Sequence, residues 1–209
     1  MRNVILKMFR GVANFLAKLG IRLMCATVRI ACDDVDKLRG DLVAGFWHGD
    51  SQAALILLKL FKKQKIRTNV VVTAEWRGDV IGKTVRRYGH SPIRMPNGAE
   101  IRHFLDELKQ TFEDKSRIFA VALDGPLGPK HEPKKILFRL ANEAKREVVV
   151  LWFEYSKVLR LNRWDDYAIP LPFSKITTNV ATFGIPTREE VKEFTQLERR
   201  ILTSTGVGI

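Results

Sequence analysis

Residues 41–63 read DLVAGFWHGDSQAALILLKLFKK, and the fold turns on this stretch. Leu42 to Trp47 is a continuous apolar run that reads as a buried strand. Ser51 to Lys63 changes to helical spacing, with its lysines gathered at the end. Between the two stands the polar step His48-Gly49-Asp50.

Working outward, the same alternation continues. Asn69 to Thr73 reads as a strand, Val80 to Tyr88 as a helix closed by Gly89, and Ala99 to Phe112 as a helix opened by Asn97-Gly98. Arg117 to Leu123 is a strand, Lys134 to Lys145 a helix, and Val148 to Phe153 a strand rich in β-branched residues. Ile176 to Phe183 is a further strand, and a polar helix from Thr187 to Leu202 ends the chain. Strands separated by single helices predict an α/β fold: a largely parallel sheet covered by helices on both faces. Ligands of such sheets collect at the carboxyl ends of the strands. The segments to search are therefore 48–52, 73–79 and 124–129.

The chain has 209 residues, 45% of them hydrophobic, enough for one sizeable core. Its 36 Lys and Arg against 23 Asp and Glu give a net charge of +13, which points to anionic partners. Arg2, Lys7, Arg10, Lys18, Arg22 and Arg29 carry six of those charges with no acid among residues 1–30. On a helical wheel Ile5, Met8, Phe9, Val12, Phe15, Leu16, Leu19, Leu23 and Ala26 gather on one side, with the basic residues opposite. This predicts an amphipathic basic helix over 1–30, lying on a membrane surface or on the core, ahead of a single domain over 31–209. No run approaches the roughly 20 uncharged apolar residues of a spanning helix. Cys25 and Cys32 are too few for a four-ligand zinc site.

Two of the three strand ends carry candidate chemistry. In Phe46-Trp47-His48-Gly49-Asp50-Ser51, a neutral His48 just beyond a strand can act as a general base, and Gly49 would admit close approach of a substrate. A packed or capping histidine is the alternative. In Asp124-Gly125-Pro126-Leu127-Gly128-Pro129, two Gly-Pro turns can hold Asp124 and backbone donors at Gly125 and Gly128 beside a substrate. A structural loop whose Asp bonds its own backbone is the alternative there.

Taken with Arg163-Trp164-Asp165, Ile169-Pro170-Leu171-Pro172-Phe173-Ser174 and Gly184-Ile185-Pro186, these elements resemble the lysophospholipid acyltransferase superfamily. The order and spacing, over about residues 20–186, are those of a branch catalogued as a domain of unknown function and similar to the glycerolipid acyltransferases. The resemblance implies transfer of a fatty acyl group to a lipid hydroxyl at a membrane surface, without a metal or other cofactor. An acyl-CoA or acyl-carrier-protein thioester would be the co-substrate. It further implies a peripheral, membrane-associated protein on the cytoplasmic face, whose partners are an anionic membrane surface, a lipid substrate and an acyl carrier. No nucleic acid is expected.

In that superfamily the active-site His is followed, after four residues, by an orienting Asp. His48 matches the His, but Ala53 occupies the Asp position. Asp50 or Asp124 is then the candidate carboxylate, although Asp50 at the mouth of a helix suits a cap. The resemblance assigns acceptor-phosphate binding to Arg94 and, beyond it, Arg77 in the segment Thr73 to Asp79. Leu127 stands where the branch commonly places Arg, and cannot grip an anion. The rival reading is a non-catalytic lipid or acyl-chain binding protein, favoured by Ala53 and Leu127.

Overall fold

A computed structural model describes residues 11, 15–16, 19–73, 76–96 and 101–207, with the backbone alone at 76, 77, 101–103, 105 and 107. Residues 19–27 are helical (α1). The further strands and helices are β1 (Arg29–Cys32), β2 (Leu42–Phe46), α2 (Ser51–Lys63), β3 (Thr68–Thr73), α3 (Trp76–Arg87), β4 (Ser91–Met95), α4 (Ile101–Glu113) and β5 (Ile118–Ala122). They continue with α5 (Lys135–Glu143), β6 (Glu147–Tyr155), β7 (Val158–Arg160), β8 (Ala168–Pro170), β9 (Lys175–Gly184), α6 (Arg188–Lys192) and α7 (Phe194–Ser204).

Seven strands form one sheet in the order β1-β9-β6-β2-β5-β3-β4, and β7 and β8 form a separate antiparallel pair. Every pairing in the large sheet is parallel except β6 with β9. The fold is thus α/β with a mostly parallel sheet. The antiparallel step arises because no helix separates β6 from β9; the excursion through β7 and β8 returns the chain to the same edge, running the other way.

All five residues of β2 are buried, as a central strand covered on both faces requires. On one face α1, α2 and α3 cover the sheet through Ile21, Cys25, Leu57, Phe61 and Val85. On the other, α4, α5 and the last two helices bury Phe112, Phe138, Val191, Leu197 and Ile201.

Two expectations need correction, and one strand had no expectation attached to it. Arg29 and Ile30 do not continue the first helix but begin β1, a strand too short to show a period, so the boundary placed at residue 30 falls inside an element. Residues 91–95 form an edge strand despite Pro92, a residue that edges tolerate because one side of the strand needs no ladder partner. The helix expected over 187–202 breaks at Glu193, whose φ of −93° and ψ of 54° leave the helical region. The break lets both Val191 and Leu197 reach the core; six residues apart, they would sit about 120° apart on one continuous helix.

In α1 the core-facing residues are Ile21 and Cys25, with Val28 just beyond it, while Leu19 and Leu23 of the expected apolar face, and Phe15 and Leu16 ahead of α1, are exposed. Ile5, Lys7, Met8, Phe9, Arg10, Val12 and Lys18 lie outside the described residues.

Candidate active site

The chain leaves β2 toward α2 on one face of the sheet and leaves the neighbouring β5 toward α5 on the other. Diverging connections from adjacent parallel strands open a crevice at their carboxyl ends. His48, Gly49 and Asp50 make one 3-10 turn at the end of β2, and Asp124 lies just past β5. Asp124 is 1% exposed. Its Oδ1 accepts the His48 backbone N–H at 2.8 Å, and its Oδ2 accepts the His131 backbone N–H at 3.3 Å. Burial pushes the Asp124 carboxyl up, and those two N–H donors oppose the push. Asp124 thus ties the two strand ends together without touching the imidazole.

The imidazole is held by a residue from the excursion beyond β6. His48 Nδ1 lies 2.7 Å from Oδ2 of Asp165, whose side chain is fully buried. A carboxylate at Nδ1 accepts the ring proton there, which leaves the lone pair of a neutral ring on Nε2. Among the described residues Nε2 has no partner. Trp164 stacks on the ring at 5.3 Å between centroids, and Arg163 Nη2 donates to the same Asp165 oxygen at 3.3 Å. Arg163, Trp164 and Asp165 therefore all bear on His48 or its partner.

Two glycines make this docking possible. A Cβ on Gly49 would lie 2.1 Å from the Asp165 carbonyl oxygen. A Cβ on Gly128, whose φ is +69°, would lie 2.6 Å from the Trp164 ring. The second Gly-Pro turn seats the tryptophan that stacks on His48.

Asp50 is neither the orienting carboxylate nor a helix cap. It makes no side-chain capping bond, and its Oδ1 accepts from the Tyr155 hydroxyl at 2.7 Å. Burial raises the Asp50 carboxyl, with the tyrosine bond opposing, and raises the Tyr155 hydroxyl far above its ordinary value.

His48 also lines an apolar cavity of about 150 Å³ that lies between the sheet and the α2–α3 layer. Leu55, Leu58, Val72, Ile81 and Leu151 are among its walls, with Gly125 and Tyr167 also on the lining. An imidazole lone pair beside a slot of methyl and methylene groups suits a substrate with a long alkyl chain attached to the reacting centre.

No protein-family model matches the chain. No curated protein matches it either. Among solved structures, the chain is similar to the 1-acyl-sn-glycerophosphate (LPA) acyltransferase PlsC from Thermotoga maritima, at 13% identity and a TM-score of 0.47. That superposition covers 92% of this chain and 81% of PlsC.

Of the remaining expected site residues, Gly125 reaches the cavity and Arg94 does not. Arg94 lies on the edge strand β4, three strands from β2, about 14 Å across the sheet at normal strand spacing. It is ion-paired with Asp79. Arg77 belongs to α3, and its side chain is outside the described residues. Leu127 projects from its loop, 90% exposed.

Asp165 is the residue that reading strand ends overlooked. Its bond to His48 spans 117 positions. The signal was present in Arg163-Trp164-Asp165, an acid beside an aromatic within one of the elements that carry the family resemblance. Strand ends point only to 48–52, 73–79 and 124–129, and this acid sits in a hairpin between two strands.

Proposed function

We propose that the chain transfers an acyl group from a thioester to a hydroxyl acceptor, with His48 as general base and Asp165 as its orienting carboxylate. The His48–Asp165 pair beside an apolar cavity carries this reading. The pair speaks for a retained activity, because Asp165 would supply from another part of the chain the carboxylate missing at Ala53.

In the reaction, Nε2 takes the proton of the acceptor hydroxyl as its oxygen attacks the thioester carbonyl carbon. The C–O bond forms and the C–S bond breaks. The proton then passes from the imidazolium to the departing thiolate. Asp165 stabilises the imidazolium and fixes the tautomer, and the Trp164 stack limits rotation of the ring. Coenzyme A or an acyl carrier protein would leave as the free thiol, and the alkyl chain would occupy the cavity.

The test is thiol release by the purified chain from palmitoyl-CoA, with lysophosphatidate and monoacylglycerol as alternative acceptors. His48→Ala should lower turnover by on the order of 10²- to 10⁴-fold. Turnover within about threefold of wild type would refute the assignment. The second reading, a non-catalytic acyl-chain binder, is favoured by the Arg94–Asp79 pair and by Leu127, which leave the expected acceptor grip unmade. It calls for palmitoyl-CoA binding without thiol release, unchanged by His48→Ala.

A further inference from the structure

We propose that Gln52 reads a hydroxyl on the acyl chain, so that the thioester taken by this site is a hydroxyacyl one, with its hydroxyl on the first carbons beyond the reacting carbonyl. The inference rests on the acyl-transfer reading and adds a substrate class to it.

Gln52 stands in the first turn of α2, one turn beyond His48, and both residues line the apolar cavity. Most of that lining is aliphatic or aromatic. Of its polar side chains, Ser51 is committed, because its Oγ donates to the His48 carbonyl at 2.5 Å. Thr73 and Tyr167 are not free either, and Tyr167 carries the Arg163 guanidinium over its ring at 5.0 Å. Gln52 differs from all of these. Its Oε1 is buried, and no described residue donates to it. A buried carbonyl oxygen without a donor costs stability, and a leucine or methionine would line the same wall without that cost.

The place of Gln52 along the cavity decides which part of a chain it meets. From Ser51 to Phe61, α2 runs beside the cavity for roughly 15 Å, and Gln52 is at the His48 end. The thioester carbonyl has to lie next to the hydroxyl that His48 activates. The carbons that pass Gln52 are therefore those nearest the carbonyl, and the tail lies farther on, toward Phe61.

An accepting oxygen in an apolar wall calls for an O–H, and an unsubstituted chain offers only methylene groups there. The last torsion of a glutamine side chain is soft, so the amide can turn to a bound hydroxyl at little cost. Its NH₂ group can also donate to the oxygen of that hydroxyl. A site that hydrogen-bonds a substrate hydroxyl rejects the analogue lacking it far more strongly than an apolar pocket rejects an added hydroxyl. Gln52 thus gives the cavity a means of choosing between hydroxylated and plain chains that its aliphatic walls lack.

Thiol release and equilibrium binding are measured with palmitoyl-CoA, 2-hydroxypalmitoyl-CoA and 3-hydroxypalmitoyl-CoA, on wild type, Gln52→Leu and Gln52→Met. Wild type should favour one of the hydroxyacyl thioesters over palmitoyl-CoA by about tenfold or more, in kcat/KM and in Kd. In both variants the order should reverse, because the hydroxyl then enters an apolar wall without a partner. An equal loss for all three thioesters would assign Gln52 to the reacting carbonyl or to the fold, and would overturn the proposal. A wild type without the hydroxyacyl preference, or a preference that survives both substitutions, would also overturn it. If neither variant folds, the wild-type preference decides alone. Binding separates this proposal from acyl transfer itself. A Gln52-dependent hydroxyacyl preference in Kd, with no thiol release from any thioester, would remove the transfer reaction and support the hydroxyl contact. Turnover of palmitoyl-CoA without any hydroxyacyl preference would do the reverse, and failure to bind all three would overturn both.

Discussion

Asp165, buried, and Asp50, half-buried, are both carboxylates near His48, and their hydrogen bonds predict opposite consequences of the same substitution. Asp165→Asn replaces the anion on Nδ1 by an amide that cannot stabilise an imidazolium and can present the wrong hydrogen-bonding group to the ring. Turnover should fall by on the order of 10²- to 10⁴-fold with little change in melting temperature. Asp50→Asn keeps a carbonyl oxygen for the Tyr155 hydroxyl, so steady-state turnover should stay within about threefold of wild type. At the same scale, burial pushes His131 down from an ordinary 6.5 to about 4, and neighbouring Lys130 adds to the shift. Its ring packs edge-on against Trp47 at 4.9 Å. Between those two pH values the unfolded chain binds the proton that the folded chain refuses, so this group makes stability fall as pH drops from 6.5 toward 4. Asp50 and Asp124, raised by burial, act in the opposite direction, because the folded chain then holds the extra protons. Melting curves of wild type and His131→Gln across that window separate the terms: the variant should lose less stability on acidification.

Among the elements, α6 shows how a short helix is held at a chain end. Thr187 Oγ1 accepts the Glu190 N–H at 3.1 Å, Glu190 Oε2 accepts the Thr187 N–H at 2.9 Å, and Arg200 of α7 donates to Glu190 Oε1 at 2.7 Å. With five residues, α6 has too few internal bonds to persist alone, so this box carries much of its order. Thr187→Ala should lower stability by about 1 kcal/mol in urea unfolding. Activity should be unaffected, because α6 packs on the face opposite the cavity. The β7–β8 hairpin has a different role. It presents the loop that carries Asp165 and Trp164; β7 is largely exposed while β8 buries Ala168 and Pro170, and the loop itself docks only because Gly49 and Gly128 leave room for it.

Across the whole molecule, Arg146 is the corresponding fixture at the far end of the sheet from His48. Its side chain is fully buried and donates to the carbonyls of Gly40, Leu42, Phe112, Asp114 and Arg117, which lie at the start of β2, at the end of α4 and just before β5. Arg146→Met would leave five acceptors without their donor and should lower stability by about 3 kcal/mol or more, read as a lower urea midpoint. The sequence by itself determined the succession of buried strands and amphipathic helices, because burial on one or both faces writes a period of two, a period of 3.6 or a continuous apolar run into neighbouring residues. It also determined that His48 and Asp124 stand at strand ends, since each directly follows such a run. The tertiary structure alone decided that Asp165 reaches His48, that Asp124 holds the backbone instead of the ring, and that Arg94 lies three strands away at an edge. Those outcomes depend on strand order and on a hairpin folding back across the site. Strand order and long-range docking are set by packing between segments far apart in the chain, which leaves no period in the sequence of either segment.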